Sequence, residues 1–264
     1  PAAPPAPTAV GVAPIVAPST PPVAVAVSKP PRLNLEPYFL PVGPHWKDTL
    51  ALGAINTTGN TDSTALTGSL ALDYKEKPYE LTIKFGGIYG TSNGVQTDAL
   101  AYNDNILRRT LPEWKTDRLY FFAENLNLYD GIKGISFRSV TAAGLGYFLF
   151  DTPKFTVDLR AGPGYRYERY FSGDDDSNVV GVAGLRATYQ VNDHVDISQD
   201  ITYTTALDDI NAYQLTSESA LNIKLPDVQR GLGLRFAFRD DYDNTSTNNK
   251  RNDTRLTAAL TLDF

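Results

Sequence analysis

The chain has 264 residues, with 24 Lys and Arg, 30 Asp and Glu, and no cysteine. Without cysteine it cannot form a disulfide framework, a zinc–thiolate site or an iron–sulfur cluster. A net charge of −6 with no basic cluster argues against nucleic acid as a partner. No run approaches the roughly 20 apolar residues of a membrane-spanning helix, which leaves a soluble all-β protein or a transmembrane β-barrel.

Residues 1–45 are rich in proline and alanine, and we expect them to form an extended arm. They hold most of the 18 prolines, and proline fixes φ and removes a backbone donor. The arm is either a flexible linker behind a cleaved signal peptide or a segment that binds a protein partner or a neighbouring subunit. Its candidate contact residues are the apolar ones: Val23, Val25, Val27, Leu33, Leu35, Tyr38, Phe39 and Leu40.

Residues 46–264 alternate apolar and polar side chains between clusters of turn residues. This pattern predicts twelve strands, at 48–58, 63–75, 79–91, 97–109, 116–128, 136–149, 154–168, 178–190, 194–206, 212–225, 230–242 and 253–264. The stretch from Phe155 to Glu168 is the clearest example, with Leu159 and Tyr165 on one face and Arg160 and Arg166 on the other. No helix is expected.

The connections between these strands also alternate. Those after even-numbered predicted strands are short, and four contain proline, whereas the others are longer on average and rich in Asn, Asp, Gly and Ser. Short turns at one end and longer polar loops at the other are typical of outer-membrane barrels, with both termini at the periplasmic end. The pattern therefore favours a 12-stranded antiparallel up-and-down transmembrane barrel.

A soluble periplasmic β-barrel binding protein is the alternative, with the apolar face turned inward. Twelve strands would enclose more space than apolar side chains can fill, whereas polar side chains around a wet lumen leave no void. Apolar-face aromatic residues near predicted strand ends, such as Tyr89, Tyr165 and Tyr203, also suit a membrane interface.

Several stretches resemble a known family. The last strand alternates Leu256, Leu260 and Leu262 and ends at Phe264, which resembles the insertion signal of Gram-negative outer-membrane barrels. The segments LALGAINTTGNTDSTALTGSL, AAGLGYFL at 142–149 and LRAGPGYRYERY at 159–170 resemble the salt-induced outer-membrane protein family, a domain of unknown function. The resemblance covers residues 46–264 and implies an outer-membrane barrel without known catalysis.

Catalysis and metal binding are not expected, and no cofactor is implied. The two histidines, His45 and His194, fall near the predicted periplasmic end without a matching serine and acid. The acidic runs at 173–178 and 241–244 lack the spacing of an EF-hand and are interpreted as solvated loops. Cation bridging from these loops to lipopolysaccharide is the alternative, beside the contact with outer-membrane lipid that any such barrel makes.

The polar face carries the candidate site. Its pore-lining candidates are Lys84, Asp158, Arg160, Arg166, Asp196, Asp200, Glu218, Lys224, Arg235, Arg239 and Arg255. Basic strands 7, 11 and 12 and acidic strands 9 and 10 would form opposed walls with a field across the lumen. The charges either line a narrow channel for small polar solutes or pair to close a structural, interaction barrel that anchors the arm.

Two charges break the pattern. Asp104 and Glu124 fall in phase with apolar neighbours, so they would face lipid. Either a bulge shifts the phase there, or this face contacts another protein, such as a second subunit.

Overall fold

A computed structural model describes residues 43–58, 63–92, 95–114, 116–244 and 251–264. Within them the chain forms twelve strands and one 3₁₀ turn at Pro112–Trp114. The strands are β1 (Trp46–Thr58), β2 (Ser63–Glu76), β3 (Tyr79–Ser92), β4 (Val95–Thr110), β5 (Leu119–Asp130), β6 (Ile135–Asp151), β7 (Phe155–Tyr170), β8 (Asp175–Asn192), β9 (Val195–Ala206), β10 (Tyr213–Lys224), β11 (Leu232–Asp243) and β12 (Asn252–Asp263). Every predicted strand overlaps an observed one, and their boundaries agree to within about three residues.

The strands close into a barrel. Each pairs antiparallel with its neighbours in the chain, and β1 pairs with β12 in a register that sets Leu52 opposite Leu260. Gly231 has a φ of 79°, and a β-carbon there would overlap the carbonyl of Asp263. Glycine is therefore needed where the β10–β11 turn approaches the end of β12. The predicted 12-stranded antiparallel barrel is confirmed.

Most apolar side chains point away from the barrel axis. Leu256 and Leu260 of β12 are more than half exposed, whereas Asp253 and Ala259, on the other face of that strand, are buried. Exposed Leu, Phe and Tyr side chains recur on the outer face of nearly every strand. An outward apolar band of this extent is the lipid-facing surface of a transmembrane barrel. The orientation favours this barrel over the soluble alternative.

Aromatic contacts border the apolar band at both ends. At the end where β1 begins, Trp46 packs on Tyr74, with ring centroids 5.2 Å apart. At the opposite end, the Tyr213 ring lies 5.6 Å from that of Tyr203 and 5.8 Å from that of Tyr242. Tyr and Trp favour the interface between lipid tails and headgroups, so these contacts mark the two edges of the band.

The two ends differ more in composition than in connection length. The end that carries the two-residue turns 77–78 and 193–194, which we call the turn end, also has the longer connections 111–118 and 225–231. The opposite end, the loop end, carries connections that include 131–134, 171–174 and 207–212. Strands such as β6 and β8 extend past their predicted ends and take up residues expected in loops. The structure therefore shows only a small difference in connection length between the two ends, less than the sequence predicts. Prolines are still more frequent in the connections of the turn end.

No helix among the described residues is long and apolar enough to cross a membrane.

The expected arm at residues 1–45 lies outside the described residues, apart from residues 43–45, and so do its eight candidate contact residues.

Candidate functional site

The inward face of the barrel carries most of its charged side chains. Strand alternation turns all eleven pore-lining candidates to this face, while their neighbours in sequence, such as Phe85, Leu159 and Phe236, point outward and are exposed. The lumen is therefore the candidate functional site.

The first group of inward charges lies on β10, β11 and β12 and consists of Glu218, Arg235, Arg239, Asp241 and Arg255, which we call the β10–β12 cluster. Arg239 and Arg255 are directly opposite each other in the register, an unfavourable pairing on its own. Asp241 Oδ2 neutralises both, lying 3.0 Å from Arg239 Nε and 2.5 Å from Arg255 Nη1. Glu218 Oε1 lies 2.7 Å from Arg235 Nη2. The Arg239 and Glu218 side chains remain 42% and 32% exposed, so open space borders this wall of the lumen.

The second group is packed more tightly. Arg160 Nε of β7 lies 3.1 Å from Glu124 Oε2 of β5, and the two side chains are only 6% and 15% exposed. Beside them, the Tyr120 hydroxyl donates a hydrogen bond of 2.5 Å to Asp158 Oδ1, and both residues are almost completely buried. We call these four residues the β5–β7 cluster.

Side chains from facing walls also approach each other. Tyr102 of β4 lies within electrostatic range of Arg239 and Glu218, and Lys84 of β3 within range of Asp200 on β9. Asp200 is itself paired with Arg186, its direct neighbour in the register, at 2.9 Å between Oδ2 and Nε. Charged and polar groups of facing walls therefore influence each other across the middle of the lumen.

Three inward glycines make room for these large side chains. Gly86, Gly146 and Gly184 each lie directly opposite a large inward residue, namely Tyr102, Tyr120 and Arg160, respectively. A β-carbon added to any of the three would overlap the opposite side chain. Large residues lie flat against the wall because their partners lack a β-carbon.

The apolar face is reversed on β4 and β5. Asp104 and Glu124 face the lumen, together with Tyr102, Tyr120 and Phe122, so neither charge is exposed to lipid. The lumen holds an apolar cluster of Tyr120, Phe122, Ala142, Val180 and Val182. The assumption that apolar side chains face outward on every strand was therefore wrong here. The sequence signal for this reversal is a set of asparagines that alternate with the inward residues and therefore occupy the outer face: Asn103, Asn105, Asn125 and Asn127.

The predicted opposed walls of charge are not observed. In the strand order, acidic β9 and β10 lie directly beside basic β11. Glu218 of β10 is directly opposite Arg239 of β11 and neutralises it locally, as Asp200 does Arg186. Neighbouring strands neutralise each other because complementary charges are paired in register.

A cavity of about 620 Å³ lies at the loop end of the lumen. Its acidic lining residues are Asp98, Asp130, Glu168, Asp176, Asp208, Asp209, Asp243 and Asp253, and its basic ones are Lys133, Arg138, Arg166, Arg251 and Arg255. Arg255 belongs both to this lining and to the β10–β12 cluster, so the cavity leads to the charges in the middle of the barrel. Acidic residues outnumber basic ones, so the cavity has a negative balance.

Neither histidine lies in the lumen. His194 lies in the β8–β9 turn, where its backbone N–H donates a 2.8 Å hydrogen bond to Asn192 Oδ1. His45 lies at the same end, 6.0 Å from Tyr74 between ring centroids.

Among residues that the structure describes, no group of three or more His, Cys, Asp or Glu is arranged to hold a metal ion. In the acidic loop, Asp174 and Asp176 accept hydrogen bonds from Ser172 and Asn178.

Comparisons with known proteins agree with this architecture. A family model described as a protein of unknown function, DUF481, matches residues 50–264, the region of the resemblance seen in the sequence. The uncharacterized protein YdiY of Escherichia coli (strain K12) is 25% identical over 193 residues, covering 73% of this chain and 72% of YdiY. The NanC porin superposes with a TM-score of 0.54 at 10% identity, covering 81% of this chain and 98% of the porin. An outer-membrane channel from Pseudomonas putida F1 gives 0.52 at 17% identity, covering 85% and 97%. These two structures share the fold of an outer-membrane barrel.

Proposed function

Because this chain belongs to DUF481, an outer-membrane barrel family of unknown function, we propose a function from its lumen: a narrow channel for small polar solutes. Both structural neighbours are described as a porin or a channel, which supports this proposal at the level of the fold. The histidines lie away from the lumen, so we propose transport without a catalytic step.

The exposure of inward side chains in the middle of the lumen is the observation that carries the proposal. Buried ion pairs that only seal a barrel would exclude solvent, as the Arg160–Glu124 pair does. Instead, the Arg239, Glu218 and Asp200 side chains are about a third or more exposed, although they face inward. Leu126, on the inward face of β5, is 36% exposed as well. The proposed path for water runs along the β10–β12 cluster.

The cavity at the loop end supports selection among solutes by their charge. Its acidic residues outnumber its basic ones, and charge at a pore mouth raises the local concentration of oppositely charged solutes. The proposed solutes are therefore small and cationic or zwitterionic, and anions enter less readily.

A closed structural barrel is the second candidate. The β5–β7 cluster and the apolar cluster around Phe122 fill one side of the lumen, and Tyr102 approaches the β10–β12 cluster from the facing wall. These contacts would stiffen a barrel whose role is to anchor the arm.

The proposed orientation sets the turn end in the periplasm. β1 begins and β12 ends there, and both termini of bacterial outer-membrane barrels typically lie on the periplasmic side. Residues 1–45 would then enter the periplasm and contact a protein partner or a neighbouring subunit. The acidic loop end would face lipopolysaccharide.

Proteoliposome swelling with the purified full chain tests the proposal. We expect swelling with glycine and L-lysine, and slower swelling with L-glutamate, whose net charge matches that of the cavity. Heat-modifiable migration on gels confirms that the inserted barrel is folded. A folded barrel that admits none of these solutes would favour the structural candidate, whereas fastest swelling with L-glutamate would refute only the charge preference.

A further inference from the structure

The outer face of β4, β5 and β6 carries a cluster of polar side chains within the mainly apolar band. We call Asn103, Asn105, Asn125, Asn127, Ser139 and Thr141 the amide patch. Asn103 is directly opposite Phe85, whose exposed side chain faces lipid, and opposite Asn127 on its other side. Directly paired residues project from the same face of a sheet. The amide patch therefore faces outward.

The amide patch begins at mid-height in the apolar band, at Asn103 and Asn105, and extends toward the loop end, where Asn127 precedes exposed Tyr129 on the outer face of β5. On neighbouring β3, the outward residues run from Tyr79 to Tyr89, two exposed aromatics near the ends of the strand. Ile83 lies midway between them and is directly opposite Asn105. Lipid headgroups are out of reach at this depth, so the surroundings of Asn103 and Asn105 are lipid tails or protein.

The amides hydrogen-bond to one another mainly along each strand, and more weakly between strands. Asn105 Nδ2 donates to Asn103 Oδ1 at 2.7 Å, Asn127 Nδ2 to Asn125 Oδ1 at 2.5 Å, and Asn125 Nδ2 to Thr141 Oγ1 at 2.8 Å. Within the described part of the chain, Asn127 Oδ1 accepts no hydrogen bond, and Asn105 Nδ2 donates only one. Lipid hydrocarbon cannot hydrogen-bond to these groups. The unused acceptor of Asn127 and donor of Asn105 are therefore available to a second protein surface.

Small side chains border part of the amide patch. Ala101, Ala123 and Ala143 are the next outward residues along β4, β5 and β6. Its other outward neighbours are bulky and exposed, namely Phe85, Leu107, Tyr129, Phe137 and Tyr165. Small side chains allow two membrane-embedded surfaces to approach closely enough for hydrogen bonds between them.

We propose that the amide patch is the contact face of a homodimer within the membrane. A primary amide is donor and acceptor at once, so the same neutral surface on two copies is self-complementary. A two-fold axis along the membrane normal brings the two patches together at equal depth. The patch has no charge that would select a charged lipid or a charged partner, which favours a second copy of this chain.

Gln199 provides a matched control. It is also an outward amide at mid-strand, on β9, but its own neighbours satisfy it: Nε2 donates to Ser217 Oγ at 2.9 Å, and Oε1 accepts from Ser219. The Gln199 amide therefore has fewer unpaired hydrogen-bonding groups to offer a second subunit.

Because the chain has no cysteine, single-cysteine cross-linking can test this proposal in membranes. We expect the full-length Asn127→Cys variant to form a disulfide-linked species of twice the chain mass with a membrane-permeant oxidant, and Gln199→Cys to stay monomeric. Equal cross-linking of both variants would indicate random collision and overturn the proposal, as would an adduct with a different protein.

The mass of the unmodified chain in nanodiscs provides a second measurement, which does not depend on how the cysteine variants fold. We expect two copies per particle, and one copy for the folded Asn103→Leu, Asn127→Leu double variant. A folded unmodified chain that is monomeric would overturn the proposal, whether or not the barrel conducts.

Discussion

Arg160 of β7 reaches across β6 to Glu124 of β5, with 3.1 Å between Nε and Oε2. Small inward residues on β6, including Ala142 and Gly146, leave the two side chains room to meet. The pair ties three strands together inside the lumen, where little solvent screens it.

Glu124→Leu should destabilise the barrel by about 3 kcal/mol, because the buried Arg160 loses its closest carboxylate. Urea unfolding in lipid vesicles measures this change. Adding Arg160→Met should restore most of the loss, since the unpaired charge is then removed as well. Lys77→Ala breaks an exposed pair with Asp117 and should cost no more than about 0.5 kcal/mol. Equal losses for Glu124→Leu and Lys77→Ala would contradict this assignment.

Gly146→Ala should destabilise the barrel by about 1 to 3 kcal/mol, because the new β-carbon overlaps the ring of Tyr120. Gly68→Ala on β2 is the matched control. Its β-carbon would meet only the flexible Leu52 side chain, at 3.4 Å. Unfolding in urea compares the two. If Tyr120→Leu did not relieve the cost of Gly146→Ala, the proposed overlap would not be its cause.

How much the sequence predicts depends on whether a strand separates apolar from charged residues. On β7, Leu159 and Arg160 lie on opposite faces, and alternation assigns both correctly. On β5, inward Tyr120 and Glu124 share a face, so hydropathy alone assigns that face to lipid. The register between strands also escapes prediction: an up-and-down order sets β10 beside β11, but the direct pairing of Glu218 with Arg239 depends on how the turn between them aligns the strands.

Replacing Arg235 and Arg239 with Glu should shift ion selectivity toward cations, because both side chains project into the wet part of the lumen. The reversal potential in a KCl gradient measures the shift. Arg169→Glu, an exposed change on the outer face of β7, should leave it unchanged. An unchanged reversal potential in the double variant would place the two arginines outside the conduction path.

Residues 20–44 should be cleaved readily by protease in the detergent-solubilised chain without its partner. The apolar residues of the arm, such as Val25 and Leu35, suit a protein surface better than a charged lumen. Mass spectrometry of the fragments identifies the cleavage sites. Resistance of this segment in a purified monomer would mean that the barrel itself binds the arm and would rule out the need for a partner.

Single-channel recording of the purified full chain in a planar bilayer tests the central claim most directly. A narrow, water-filled lumen predicts discrete conductance steps with a reversal potential that indicates a preference for cations over anions. A preparation that is folded by its heat-modifiable migration but gives no steps above the bare bilayer would contradict the channel and leave the closed structural barrel.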